Sequence, residues 1–106
     1  MKNIKIDFKK LNGLVPVIIQ DDKTGDVLML GFMNQPSYQK TVKEGLVYFW
    51  SRKRKKLWLK GETSGNKLKV KKIFLDCDFD ALLIKIDVSE KSVCHTGRKS
   101  CFVPLS

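Results

Sequence analysis

The sequence predicts a mainly β domain with one short helix. Apolar, β-branched and aromatic runs at Leu14–Gln20, Leu46–Ser51 and Ala81–Val88 read as strands, bounded by polar stretches that contain glycine. Residues 67–76 alternate lysine with apolar side chains, the pattern of a strand with one wet face. Helix signals at both ends occur only around 35–44: Asn34 as N-cap, Pro36 in the first turn and Gly45 as the stop.

Taken in order, residues 1–12 alternate Ile4, Ile6 and Phe8, which suits an arm or edge strand. Pro16 places the start of the next strand at an edge, because proline has no amide proton for a ladder. Asp21–Gly25 then forms a hairpin turn and Asp26–Phe32 returns as its second strand. The helix over 35–44 has Tyr38 and Val42 on one face. After the Leu46–Ser51 strand comes a basic loop, then Leu57–Leu59 and the polar loop Lys60–Asn66. Within 67–76 the apolar positions shift by one residue between Val70 and Ile73, which suggests a bulge. Ala81–Val88 pairs with this strand, residues 89–100 form a loop, and Cys101–Val103 is a terminal strand. No repeat, linker or low-complexity segment divides the chain, so residues 1–106 are expected to form a single domain.

A chain of 106 residues buries roughly 65% of its unfolded surface, so a metal or a subunit partner would add stability to a modest core. No apolar run has transmembrane length and no signal peptide is recognisable, so a cytoplasmic location and no membrane partner are expected. In that compartment three cysteines point to metal binding or catalysis rather than a disulfide framework. The net charge is +10, much of it in Arg52–Lys56, Lys60, Lys67, Lys69, Lys71 and Lys72. Such a block implies an anionic partner, or else a solvated lysine-rich surface.

The chain's three cysteines and single histidine all fall between Cys77 and Cys101. Cys77, Cys94 and Cys101 can give Zn²⁺ three thiolates and leave a fourth position for water. His95 is read as a proton-transfer group beside the metal, with a fourth ligand as the alternative. A closed zinc site that only clamps the C-terminal loop is the structural reading. On an extended strand Asp76, Asp78 and Asp80 would share one face, a set of hard oxygen donors suited to Mg²⁺, while Cys77 faced the other way. A homodimer in which one subunit's Cys77 meets the other's Cys94 and Cys101 would reconcile the two directions.

Trp50-Ser51-Arg52, Leu57-Trp58, Lys60-Gly61-Glu62-Thr63-Ser64-Gly65, Asp76 to Leu83, Cys94-His95-Thr96-Gly97 and Ser100-Cys101-Phe102 together resemble the phosphoribosyl-AMP cyclohydrolase family of histidine biosynthesis. Gly13–Pro16 and Leu28–Asn34 extend the resemblance over nearly the whole chain. It implies a pseudo-barrel of strands in an interlocked homodimer with active sites at the subunit interface. It further implies Zn²⁺ on Cys77, Cys94 and Cys101 shared across the dimer, Mg²⁺ on Asp76, Asp78 and Asp80, and the form without a fused pyrophosphohydrolase domain. Asn66 and Leu68 depart from it, standing where members commonly carry His and Gln.

The implied substrate is an N1-ribosylated AMP with two 5′-phosphates, opened hydrolytically at N1–C6 by zinc-bound water. Trp50, Ser51, Arg52, Lys60, Gly61, Glu62, Thr63, Ser64 and Gly65 are the candidate substrate and phosphate contacts, through a guanidinium fork, point charges, hydroxyls and backbone amides. Trp50 and Trp58 are either purine-stacking or core residues. The rival reading is a zinc-stabilised basic β-domain that binds single-stranded nucleic acid. It leaves three alternating aspartates unexplained, since they would repel a phosphodiester backbone, so no nucleic-acid partner is expected.

Overall fold

Val15, Val17 and Ile19 are fully buried and alternate with Pro16, Ile18 and Gln20, which are not, so the first apolar run lays one face on the core. The computed structural model describes residues 5–63, 65–88, 93–94 and 97–106. Within them the elements are β1 (Val15–Asp21), β2 (Val27–Met33), α1 (Gln35–Glu44), β3 (Tyr48–Ser51), β4 (Lys56–Leu59), β5 (Lys69–Leu75) and β6 (Leu82–Asp87). The protein is mainly β with one helix, as predicted.

Four strands form one sheet in the order β2-β1-β6-β5. The neighbours β1–β2 and β5–β6 are antiparallel, and β1–β6 is parallel. β1 is therefore interior rather than an edge. Pro16 is tolerated because pairing with β6 begins only at Val17, leaving the proline's missing donor on an open side. The expected bulge in β5 appears as a register shift between Val70 and Lys72.

The hairpin β3–β4 lies against the inner side of this sheet. Its approach depends on Gly31 of β2, where an added Cβ would sit 2.6 Å from the Phe49 ring. At the other end a Leu46–Lys69 bridge and the Val47 amide donating to the Leu68 carbonyl tie the chain to the start of β5. The hairpin so reaches from β5 back to β2 in the manner of an incomplete barrel. Phe49, Val47, Leu68, Leu28, Met33, Ile84, Ile86 and Val93 complete the core. Leu68 is wholly buried in this core.

α1 begins and ends where its capping residues place it. Asn34 accepts the Ser37 amide, the Ser37 hydroxyl accepts the Asn34 amide, and Gly45 adopts the left-handed conformation at the C-terminus. Its buried face differs from the expected one: Ser37 and Thr41 are buried, Tyr38 is half-buried and Val42 is exposed. Thr41 earns that position by accepting the Tyr48 amide and donating to the Ser37 carbonyl, which locks the helix to β3.

Of the two terminal segments, residues 5–12 take the arm alternative and Cys101–Val103 lacks its expected strand. The arm from Lys5 to Asn12 is irregular, although Ile6 and Phe8 pack against the core and the Asp7 amide donates to the Phe79 carbonyl. Ile4 lies outside the described residues. Cys101–Val103 forms no ladder; a single bond from the Cys101 amide to the Leu28 carbonyl holds it. The segment thus meets the edge strand β2 through one backbone bond, without building a ladder on it.

The outward face of the sheet is unusual. Leu30, Ile18, Leu83 and Phe74 pair across β2, β1, β6 and β5 as one continuous row. Leu30, Ile18 and Phe74 are among the exposed large apolar residues, and nothing among the described residues covers them. No helix among the described residues is long and apolar enough to cross a membrane.

Candidate metal and substrate site

Asp76–Asp80 connects β5 to β6 as a tight turn rather than an extended strand. The Asp76 amide donates to the Ala81 carbonyl, the Phe79 amide returns to the Asp76 carbonyl, and Phe79 takes a positive φ of 63°. The Asp80 amide donates to Asp76 Oδ1 at 3.1 Å. The expected alternation of faces is thus replaced by a coil, yet its consequence survives. Asp76, Asp78 and Asp80 each place an oxygen within 4.8 Å of the other two. Lys10 reaches this turn from the arm, its Nζ 3.1 Å from Asp80 Oδ2. That ion pair is the main cause of the lowered Asp80 and raised Lys10 proton affinities relative to their ordinary values. A groove of about 760 Å³, lined by Ile6, Phe8, Gln35, Tyr38 and Phe79 among others, runs alongside.

The thiols are arranged otherwise. None of the three is in a disulfide; Cys77 and Cys101 are exposed and Cys94 is half-buried. Cys94 and Cys101 are neighbours: burial first, then the Cys94 side chain, push the Cys101 thiol above its ordinary range, while Lys60 pulls the other way. Cys77 does not join them, since the three sulfurs do not lie within 4.8 Å of one another. The topology explains why. Cys101 is pinned to Leu28 near the start of β2, whereas Cys77 sits in the turn after β5, at the opposite edge and opposite end of the sheet. Strand spacing and rise put such diagonal corners roughly 20 Å apart. His95 and Thr96 lie outside the described residues.

The candidate substrate residues fall into two groups at opposite ends of the β3–β4 hairpin. Trp50, Ser51 and Arg52 flank its turn and line a groove of about 360 Å³ with Phe32, Lys53 and Trp58. The Arg52 guanidinium lies 3.9 Å from the Phe32 ring centre, a stacked arrangement that leaves its edge open for an anion. Trp50 is half-buried along this groove, whereas Trp58 packs on the core and on Phe49.

Lys60 begins the other group, opposite Val47, to whose carbonyl its amide donates. Its side chain is mostly buried, with Nζ 5.3 Å from the Trp58 ring centre, and so is less available than a surface phosphate ligand would be. Gly61 has φ +87° and lies so close to Asn66 that any Cβ would strike its carbonyl. Glu62, Thr63 and Gly65 are exposed, and Ser64 lies outside the described residues. The sequence reading missed Lys10, Asp21 and Lys99. Lys10 is 70 positions from Asp80, and no local spacing signals such a pair.

Comparison with known proteins follows this geometry. The family model described as phosphoribosyl-AMP cyclohydrolase matches residues 29–103, which include all three aspartates and all three cysteines. The "Phosphoribosyl-AMP cyclohydrolase" of Listeria innocua is 58% identical over 94% of this chain and 92% of its own length. That of Solibacter usitatus is 54% identical over 93% of this chain and 79% of its own. The "Histidine biosynthesis bifunctional protein HisIE" of Staphylococcus aureus is 52% identical over the full chain, which corresponds to 50% of that longer protein.

Proposed function

Because the chain belongs to the phosphoribosyl-AMP cyclohydrolase family, we propose that it hydrolyses the adenine ring of 1-(5-phosphoribosyl)-AMP at the N1–C6 bond, a step of histidine biosynthesis. The observation that carries this reading is the combination of a converged hard-donor turn, Asp76, Asp78 and Asp80, with a soft-donor pair, Cys94 and Cys101. Those donor sets fit Mg²⁺ and Zn²⁺ respectively.

Cys77 completes the zinc set only from a second copy of the chain, because its own Cys94 and Cys101 lie at the far corner of the sheet. We therefore propose a homodimer with metal ligands shared between subunits. The uncovered row Leu30–Ile18–Leu83–Phe74 supports it, as an apolar stripe of this extent is what an interface would bury.

Ribosylation at N1 makes the purine ring amidinium-like and C6 electrophilic. A bound zinc supplies the Lewis acidity that yields a nucleophile from water at neutral pH. His95 accepts the proton released as water adds at C6, and passes it to N1 as the N1–C6 bond breaks. The product is an open carboxamide with no net proton change. Arg52, held against Phe32, and the exposed Thr63 hydroxyl take the two phosphates. Asp76, Asp78 and Asp80 hold the cation that screens them.

The test is ring opening of phosphoribosyl-AMP followed by ultraviolet absorbance, with metal content measured on the same sample. Turnover that disappears on chelation and returns with Zn²⁺ is the expected result. Stoichiometric zinc without turnover, Mg²⁺ present, would sink the catalytic reading.

A further inference from the structure

Lys99 lies two residues before Cys101, and its ammonium has no free donor. Its Nζ is 2.8 Å from Asp21 Oδ2, 2.9 Å from Asp26 Oδ2 and 3.2 Å from Thr24 Oγ1. Three acceptors use all three donors of a lysine, which fixes the head group in place. Asp21 is only 5% exposed and is equally committed. Its Oδ1 accepts the Lys23 amide and its Oδ2 the Thr24 hydroxyl, both at 3.0 Å. The whole β1–β2 turn is thereby a preformed socket for one cation.

What the socket grips is the segment that carries two thiols. The Val93 amide donates to the Lys99 carbonyl and the Cys94 amide to the Arg98 carbonyl, so Lys99 and Cys94 belong to one small loop. Val93 anchors that loop in the core. On the other side of Lys99, the Ser100 hydroxyl lies 2.9 Å from the Val27 carbonyl, and the Cys101 amide donates to Leu28. Lys99 therefore stands between the two thiols in the chain, bonded through its carbonyl to the Cys94 loop and through its ammonium to the β1–β2 turn.

We propose that the Lys99–Asp21–Asp26 clamp is the positioning device for the Cys94–Cys101 pair, setting the geometry in which these thiols receive zinc. This rests on the zinc reading above. In this role Lys99 and Asp21 act on the cysteines through the backbone between them, supporting a metal site from outside its ligands.

The experiment measures zinc affinity of the full-length protein by competition with a chromophoric chelator, and the thiolate-to-metal absorption of the Co²⁺-loaded form. Lys99→Met and Asp21→Asn are each expected to weaken zinc by about 10-fold or more and to alter the Co²⁺ spectrum. The double variant should be no worse than the worse single one, because both break the same clamp. KM for substrate should hold while kcat falls. Lys40→Met, which breaks an exposed pair with Glu44, should change none of these. Should Lys99→Met fail to fold, Asp26→Asn removes one exposed partner alone and is expected to weaken zinc to a smaller degree. Folded variants with lower thermal stability but wild-type zinc affinity would overturn the clamp and leave the cyclohydrolase reading intact. A wild-type protein that binds no zinc would overturn both.

Discussion

The two donor sets are built on opposite principles. The aspartates are gathered by one five-residue turn, closed by hydrogen bonds among its own members, and complete within a single chain. The thiols are dispersed to opposite corners of a sheet, and the chain by itself assembles only two of them. A hard-cation site made locally survives as long as a hairpin does. Under the proposed shared site, a soft-metal centre made from distant corners would need tertiary and quaternary structure both in place, and so would report on assembly.

The sharpest way to break this contrast is complementation. Cys77→Ala and Cys101→Ala should each abolish turnover, by several orders of magnitude. Mixed after unfolding and refolding together, they should regain roughly a quarter of wild-type activity, since random pairing leaves one intact site in half of the dimers. No recovery would mean that all three thiols serve within one chain.

Next in size is Ile18→Asp, a charge in the middle of the outward apolar row. Light scattering should show the mass halved, with zinc lost and Mg²⁺ binding retained. A dimer that persists would place the interface elsewhere. Asp78→Asn tests the local set. It should cost at least about 10-fold in Mg²⁺ affinity while zinc content stays unchanged, measured by calorimetry and metal analysis.

The smallest effect is the pH response of the clamp. Asp21 is held at about 2 against an ordinary 3.8, chiefly by its bond to Lys99. A depressed carboxylate stabilises the fold above its unfolded value and loses that stabilisation as pH falls from about 4 through about 2. Lys99 is raised above 10.5, so its share is present below that value and is lost as pH rises beyond it. Asp21→Asn should therefore flatten the acid limb of the thermal stability curve by about 1–2 kcal/mol, after screening is allowed for. An unchanged acid limb would show that the pair contributes nothing net.

What could be read in advance follows the same division between local and distant. The helix was legible to the residue because Asn34, Pro36 and Gly45 are signals that act within one turn. The Asp21–Gly25 hairpin and the pairing of β5 with β6 were legible for the same reason. The aspartate cluster was legible from composition, although its mechanism was not: Phe79 at positive φ coils what alternation would have kept straight. Residues 5–12 and 101–103 carry strand-like patterns, but a pattern cannot tell whether an edge remains to receive it. Lys10 with Asp80 and Lys99 with Asp21 are pairs of distant charges in a chain rich in lysine, where no single lysine stands out.

The parallel seam between β1 and β6 has a kinetic consequence. The sheet consists of two sequence-local hairpins, β1–β2 and β5–β6, joined along strands whose paired residues are some 65 positions apart in the chain. Hairpins close in about 1–10 μs, whereas the seam must wait for a long loop to be brought round and for its entropy to be repaid. The carboxylate turn is born with the second hairpin. The thiol pair, which needs the C-terminal segment laid on the first, comes after the seam. In the order of folding, the carboxylate side of this molecule is old and its thiol side is young.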